Sequence, residues 1–533
     1  MEQLREILTA EGIAALVERA IPQLAWGLRG DYGAALAAAA ELEPDERGRA
    51  VLGQLLDNAE VAAADQVPLC QDTGYVWVLL EVGGADAFGQ EIAIPANIFS
   101  LVDEAVARAY QQAGLRRSLL RDALLDRSNS GDNTPAFCEL YLSRDLAGAR
   151  LHVMLKGGGS DNASRVVMLP PGAGEAGVVE AVLAAVREKG ANACPPLVVG
   201  VGVGSTFDKV ASLAKRALLR PLDVGNPEPR LAGLEQELLL AINALGIGPG
   251  GFGGVTTALG VNVLTAPCHI AALPVAVNIG CNAVRSVTLE LGERAGASGA
   301  WVQSTATDAA QPSPEWFAHG LHAFSVEDNQ LECFTGAPNP VRGAKSSGID
   351  AAEAAAVQES GIRLELPAAT AVLQGLKAGD EVRLYGPVFT MRDAGHQRAL
   401  EWLNEHQELP YGLAGQALFY AGPTPPAAGR PHGAIGPTTA SRMDFAAPRL
   451  YEAGIMVTLG KGRRAPEVAR ACRDNQTVYL ACTGGAAALL ASYVSSSEPV
   501  AWEDLGTEAL RKLQLHGLPA FVAIDTQGNS IYD

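Results

Sequence analysis

Gly246–Arg285 reads GIGPGGFGGVTTALGVNVLTAPCHIAALPVAVNIGCNAVR. From Gly254 to Val284 it holds no Lys, Arg, Asp or Glu. A charge-free run of that length has the hydropathy of a membrane span. Pro267 and Pro274 interrupt it, and Thr256, Thr257, Asn262, His269, Asn278 and Asn282 would be costly in lipid. The stretch therefore reads as the buried floor of a large soluble protein, with Cys268, His269 and Cys281 set in it. The rest of the chain is expected to supply partners for those residues.

The chain has 533 residues, too many for one compact core, and two domains are expected. Hydrophobic content of 48% with only 5% aromatics makes the core one of Ala, Val and Leu. A net charge of −19 argues against nucleic acid and anionic membrane as partners. An anionic small substrate would need a local basic pocket against that background. Met1–Arg5 lacks the basic start and apolar run of a signal peptide, so a cytoplasmic protein is expected. The eight cysteines, at 70, 138, 194, 268, 281, 333, 472 and 482, form no CxxC and no dense disulfide pattern.

Helical spacing of apolar residues marks the N-terminal stretch to about residue 65, and again Ile98 to Gln111. Pro68-Leu69-Cys70-Gln71-Asp72-Thr73-Gly74 leads into a buried strand from Tyr75 to Leu80. That loop is either a site or an Asx turn that opens a strand. A strand from Ala149 to Leu155 ends in Lys156-Gly157-Gly158-Gly159-Ser160, where glycines permit close backbone approach or plain flexibility. Cys194-Pro195-Pro196 precedes the strand Leu197–Gly204, and a helix follows from Asp208 to Leu219. Phe207 stands where the third glycine of a dinucleotide fingerprint belongs, and no lysine follows the glycines at 248–254. NAD and ATP are excluded on those grounds.

Residues 336–361 turn to Pro, Gly, Ser and Ala and read as a linker between a domain at 1–335 and a second at 362–533. In the second, strand-like segments at Glu381–Leu384, Ala417–Tyr420, Ile455–Leu459, Thr477–Leu480 and Ala520–Ile524 alternate with helical ones at Gly395–Glu405, Asp444–Ala453 and Pro466–Asp474. The fold class is mixed α/β.

Cys70, Cys194 and Cys281 each sit in a loop beside glycine or proline, but their spacing joins them in no local motif. The phrases around them are more specific. PLCQDTG, KGGGSDN, CPPLVVGVGVGSTFDK, HIAALPVAVNIGC, TMRDAGH, GAIGPTTASRMD and VTLGKG together resemble the iron–sulfur class I fumarate hydratases and the related L-tartrate dehydratases. The resemblance runs over nearly the whole chain, with parts that are separate α and β subunits in many members fused here. It implies a large cluster-binding α/β domain, a smaller swivelling β/β/α-type domain and a homodimer.

The resemblance further implies a [4Fe–4S] cluster held by only three cysteines, Cys70, Cys194 and Cys281, with one iron open as a Lewis acid. Cys281, which ends the family phrase, is preferred over Cys268, which is expected to be a buried thiol. For a small dicarboxylate substrate the match offers Gln71, Arg116, Gly158, Arg392, Arg442 and Lys461, and guanidinium forks suit carboxylates. Three of those cations lie in the second domain, so a site between domains is expected. Asp72, Thr438 and His269 match the positions for proton transfer, with Thr438 resembling the residue proposed as base. Gly280, Asn282 and Gly250-Gly251-Phe252 depart from the common pattern around the cluster. The implied reaction is reversible hydration of fumarate to malate. Dehydration of tartrate or a methylated diacid (mesaconate hydration in reverse) is the near alternative, and an iron–sulfur electron carrier or sensor the remote one.

Overall fold

A computed structural model describes residues 9–85, 94–293, 300–304, 324–327, 330–333, 361–426 and 430–532. All of the expected linker except Gly361 lies outside them. The fold is mixed helix and strand, and the described residues form two compact units, one from 9–333 with 424–426 and one from 361–423 with 430–532. No described helix is long and apolar enough to cross a membrane.

The first unit is built on two sheets. In the larger, strand β1 (Tyr75–Ala85) pairs in parallel with β2 (Phe137–Ala147) and antiparallel with β3 (Ala149–Lys156), which in turn pairs with β8 (Ser286–Glu293). Alternation drives the burial. Val76, Val78 and Leu80 pack with Leu151, Val153 and Leu289 under the helices Ala10–Trp26 and Ile98–Gln112. Those helices return Ile13, Val17 and Ile21, and Val102, Val106 and Ala109, at three- and four-residue spacing.

The smaller sheet has the order β4-β7-β5-β6, with β4 Arg165–Leu169, β5 Leu197–Ser205, β6 Ala258–Cys268 and β7 Leu273–Gly280. Helices Gly174–Lys189 and Pro229–Asn243 cover one face through Val182, Val186, Leu238 and Ile242. On the other face the helix Phe207–Ala217 lies nearly on the strand backbone. A Cβ on Gly200 would stand 2.3 Å from the Ala214 carbonyl oxygen, and one on Gly202 2.7 Å from the Val210 carbonyl oxygen. The glycines of Leu197–Gly204 thus admit a helix rather than a nucleotide. The glycine loop at 248–254 also takes its anion from the protein. The buried Glu43 carboxylate accepts from the N–H groups of Val255 (3.0 Å) and Thr256 (2.8 Å).

The second unit closes a ring of five strands. Strands β13 (Glu381–Thr390), β14 (Ala417–Phe419), β15 (Val457–Gly460) and β16 (Val478–Ala481) run parallel, and the long β18 (Leu510–Ile524) pairs antiparallel with both β16 and β13. Helices Asp393–His406, Ala447–Glu452 and Pro466–Asn475 fill the crossovers. His396 is fully buried on the first of these, its Nδ1 2.8 Å from the Arg392 carbonyl and its ring edge-on to Tyr420. Burial pushes its imidazole down to about 4 from an ordinary 6.5. The unfolded chain therefore binds the proton that the folded one refuses. Stability is full above pH 6.5 and falls as pH drops toward 4, by roughly 3 kcal/mol at most. Urea titrations at pH 7 and pH 5 should show that loss, and His396→Gln should flatten it; an equal slope in both proteins would count against a buried neutral imidazole.

Candidate active site

The strand ends of the first unit gather the cysteine loops. β1 begins at Tyr75 opposite Lys156, where β3 ends, and β8 begins at Ser286 opposite Met154. In the smaller sheet Val198, just after Cys194, pairs with Gly280, just before Cys281. Residues 281–285 therefore carry the chain from the small sheet to the large one, past the start of β1 and the end of β3.

Cys194 is held with φ +59°, in the left-handed region that non-glycine residues avoid. Its carbonyl accepts the N–H of Asn282 at 3.0 Å, which fixes it beside Cys281. Tyr32, fully buried and bonded through its hydroxyl to the Pro196 carbonyl (2.9 Å), faces both thiols. Burial raises its ionisation well above the phenol range, and Cys281 and Cys194 add to that.

Asp72 ties the Cys70 loop to this place. Its carboxylate lies 3.2 Å from the Arg116 guanidinium and accepts the N–H of Gly158 at 2.9 Å and of Gly74 at 3.1 Å. Its carbonyl accepts from Arg285 Nη1 at 2.9 Å. Gly74 has φ +81°, and a Cβ there would meet the Lys156 carbonyl oxygen at 2.4 Å, so the loop can close only on glycine. Cys70 Sγ donates to Gln71 Oε1 at 3.4 Å. The structure thus brings together Cys70, Gln71, Asp72, Arg116 and Gly158, and through Arg285 joins them to Cys194 and Cys281.

The described cysteines are free thiols. Among the described residues no three His, Cys, Asp or Glu side chains converge as a metal-holding group. The thiols share one pole of the unit while Cys70 and Cys281 turn to their own neighbours, Gln71 Oε1 and the Ala283 carbonyl. The donor set suits an iron–sulfur cluster in kind: free cysteine sulfurs in loops at strand ends, with the buried cations Arg116 and Arg285 nearby.

One expectation is corrected. Cys268 is exposed, its thiol donating to the Ala272 carbonyl at 3.3 Å. His269 is exposed in the same turn, its Nδ1 accepting from Ala271 N–H. The turn lies at the start of β7, whereas Cys281 follows its end, eight residues away along the strand. At strand rise that is about 25 Å. Within one chain His269 does not join the cysteine pole, and the opening stretch is buried along most of its length but exposed from Pro267 to Ala271.

Sequence reasoning passed over Lys156 and Arg285. Lys156 is fully buried, donates to Ser160 Oγ (3.1 Å) and to the Ile279 carbonyl, and is pulled down to about 8 by desolvation. Arg285 is 2% exposed. A small cavity between them is lined by Lys156, Gly157, Ser160, Gly280, Cys281 and Arg285. One signal was legible: Arg285 is the first charge after the charge-free run.

In the second unit the matched residues stand at the carboxyl ends of parallel strands, where open α/β sheets place ligands. Lys461 follows β15, and its N–H donates to the Thr438 carbonyl at 3.1 Å. Thr438, buried, donates its own N–H to Tyr420, just past β14. Arg392 follows β13, half-neutralised by Glu508 at 3.5 Å. Arg442 grips Asp393 with both arms of its fork, at 3.0 and 2.5 Å.

The model of the family described as fumarate hydratase (Fumerase) matches residues 14–290, and that of the fumarase C-terminus matches 340–533. The class I anaerobic fumarate hydratase of Escherichia coli K12 is 28% identical over 98% of this chain and 90% of its own length. The mitochondrial fumarate hydratase 1 of Leishmania major is 28% identical over 92% of this chain and 84% of its own. A putative L(+)-tartrate dehydratase subunit alpha of Methanocaldococcus jannaschii is 37% identical over 48% of this chain and 89% of its own. With both parts matched in order along one chain, this protein belongs to the class I fumarate hydratase family.

Proposed function

We propose that the protein is a hydro-lyase that adds water reversibly to fumarate to give malate, using a [4Fe–4S] cluster held by Cys70, Cys194 and Cys281. The observation that carries the reading is the junction at Asp72, which links the Cys70 loop, Arg116, the Gly158 N–H and, through Arg285, the Cys281 loop. With three protein thiolates, such a cluster offers one iron as a Lewis acid to a hydroxyl leaving group.

The chain's own residues do the rest. Arg116, Arg392, Arg442 and Lys461 meet the two carboxylates, with Gln71 and the Gly158 backbone orienting the substrate. Asp72 holds the proton exchanged with the departing hydroxide. The Thr438 hydroxyl is assigned the proton at carbon; a main-chain hydrogen bond between Thr438 and Lys461, which puts the two residues side by side, supports the assignment. His269 takes no part at its own chain's cysteine pole. A homodimer in the cytoplasm completes the proposal.

Tartrate dehydration is the second reading, favoured by the higher identity of the N-terminal part to the tartrate dehydratase subunit. An anaerobic panel of fumarate, malate, mesaconate and L-tartrate decides. We expect kcat/KM at least about tenfold higher for fumarate and malate, the discrimination that one misplaced hydroxyl or methyl allows. Faster turnover of tartrate would replace the proposal.

A further inference from the structure

We propose that Lys156 and Arg285 are a buried counter-charge for the anionic group held at Cys281, and that they set how readily that group gives up an electron. The proposal rests on the cluster reading above.

Both cations face the cavity that Cys281 lines. Their hydrogen bonds go to neutral acceptors. Lys156 binds a carbonyl and a serine hydroxyl; Arg285 binds the Asp72 carbonyl, and its buried Nε has no partner. Carbonyls and hydroxyls solvate a cation without neutralising it. Among the described residues Arg285 has no carboxylate within 4.0 Å, and Lys156 has one, the half-exposed Asp161, at the limit of 4.0 Å. Two cations buried this way are costly unless an anion shares the space. Three thiolates on a [4Fe–4S]2+ core carry a net charge of −1, which supplies it.

The consequence has a sign. One-electron oxidation takes the assembly from −1 to 0, the electron passing to an added oxidant such as ferricyanide. The [4Fe–4S]3+ core then sheds Fe2+ to leave [3Fe–4S]+. A nearby cation favours the more negative, unoxidised state. Removing it must therefore speed oxidation, and removing a nearby anion must slow it.

The experiment uses full-length protein reconstituted anaerobically with iron and sulfide. After ferricyanide is added, growth of the electron paramagnetic resonance signal of the three-iron form is followed. Lys156→Met and Arg285→Met should load iron and then oxidise about tenfold faster, as loss of a buried unit charge close to the group implies at protein-like screening. Lys156→Arg and Arg285→Lys, which keep the charge, should stay within about twofold of the parent. Met variants at the parent rate, or charge-keeping variants as fast as the Met variants, would each overturn the proposal. Failure of the parent protein to take up iron and sulfide would instead remove the cluster reading on which it stands.

Discussion

Cys281→Ser should lose nearly all bound iron after anaerobic reconstitution and at least about 1,000-fold in kcat, because a lost thiolate removes the metal and its Lewis acidity together. Cys268→Ser should keep both within about twofold. The two thiols are thirteen residues apart in sequence and share the same charge-free stretch. Strand β7 separates them. Cys281 sits beside Cys194, whose carbonyl holds Asn282 N–H, while Cys268 donates to its own turn at the opposite end of the sheet. Iron and sulfide assays of both variants check this, and iron loss from Cys268→Ser with retention in Cys281→Ser would reverse the assignment.

Arg464→Leu should destabilise the second unit by about 3–5 kcal/mol, the usual result of stripping one partner from a buried ion pair. The Arg464 side chain has no exposure; Nε donates to Asp444 Oδ1 at 2.5 Å, and the guanidinium carbon lies 4.8 Å from the centre of the Tyr479 ring and 5.4 Å from that of Tyr420. Leucine would lose the cation–π contacts and leave the largely buried Asp444 carboxylate without its counter-ion, still accepting from the Ala465 N–H. Urea denaturation reports the loss. The double variant Arg464→Leu/Asp444→Leu should recover part of it, since the stranded charge is gone. A cost under about 1 kcal/mol would mean that water reaches the pair.

Local pattern carried much of the fold. The helix Ile98–Gln112 and the strand from Tyr75 are both written in apolar periodicity, one at helical spacing and one as a continuous run. The hairpin of Val494–Ala501 with the start of β18 was not legible, because VSSSEPVA is polar and half-exposed and owes its pairing to Leu510–Leu515. The glycines of β5 read like a ligand loop until the helix at 207–217 is seen against them; a sequence does not say what approaches a glycine.

The site divides the same way. The phrases around Cys70, Cys194 and Cys281 pointed to loops that lie at strand ends of the first unit, and Asp72, Arg116 and Gly158 do meet. His269 stands away from its own chain's cysteines because the strand β7 lies between it and Cys281. Lys156 and Arg285 were missed because burial of a charge is made by distant segments, here Ile279 and Asp72. Nothing local to KGGG or AVR distinguishes them from surface cations.

The proposed hydration needs a thiolate-held cluster with one iron open to substrate. Mössbauer spectra of protein reconstituted with 57Fe test it most directly, recorded anaerobically with and without malate. One iron of four should change its isomer shift and quadrupole splitting when malate is added, with the other three unmoved. Four irons that ignore malate in a catalytically active sample, or activity in a sample free of iron, would contradict it.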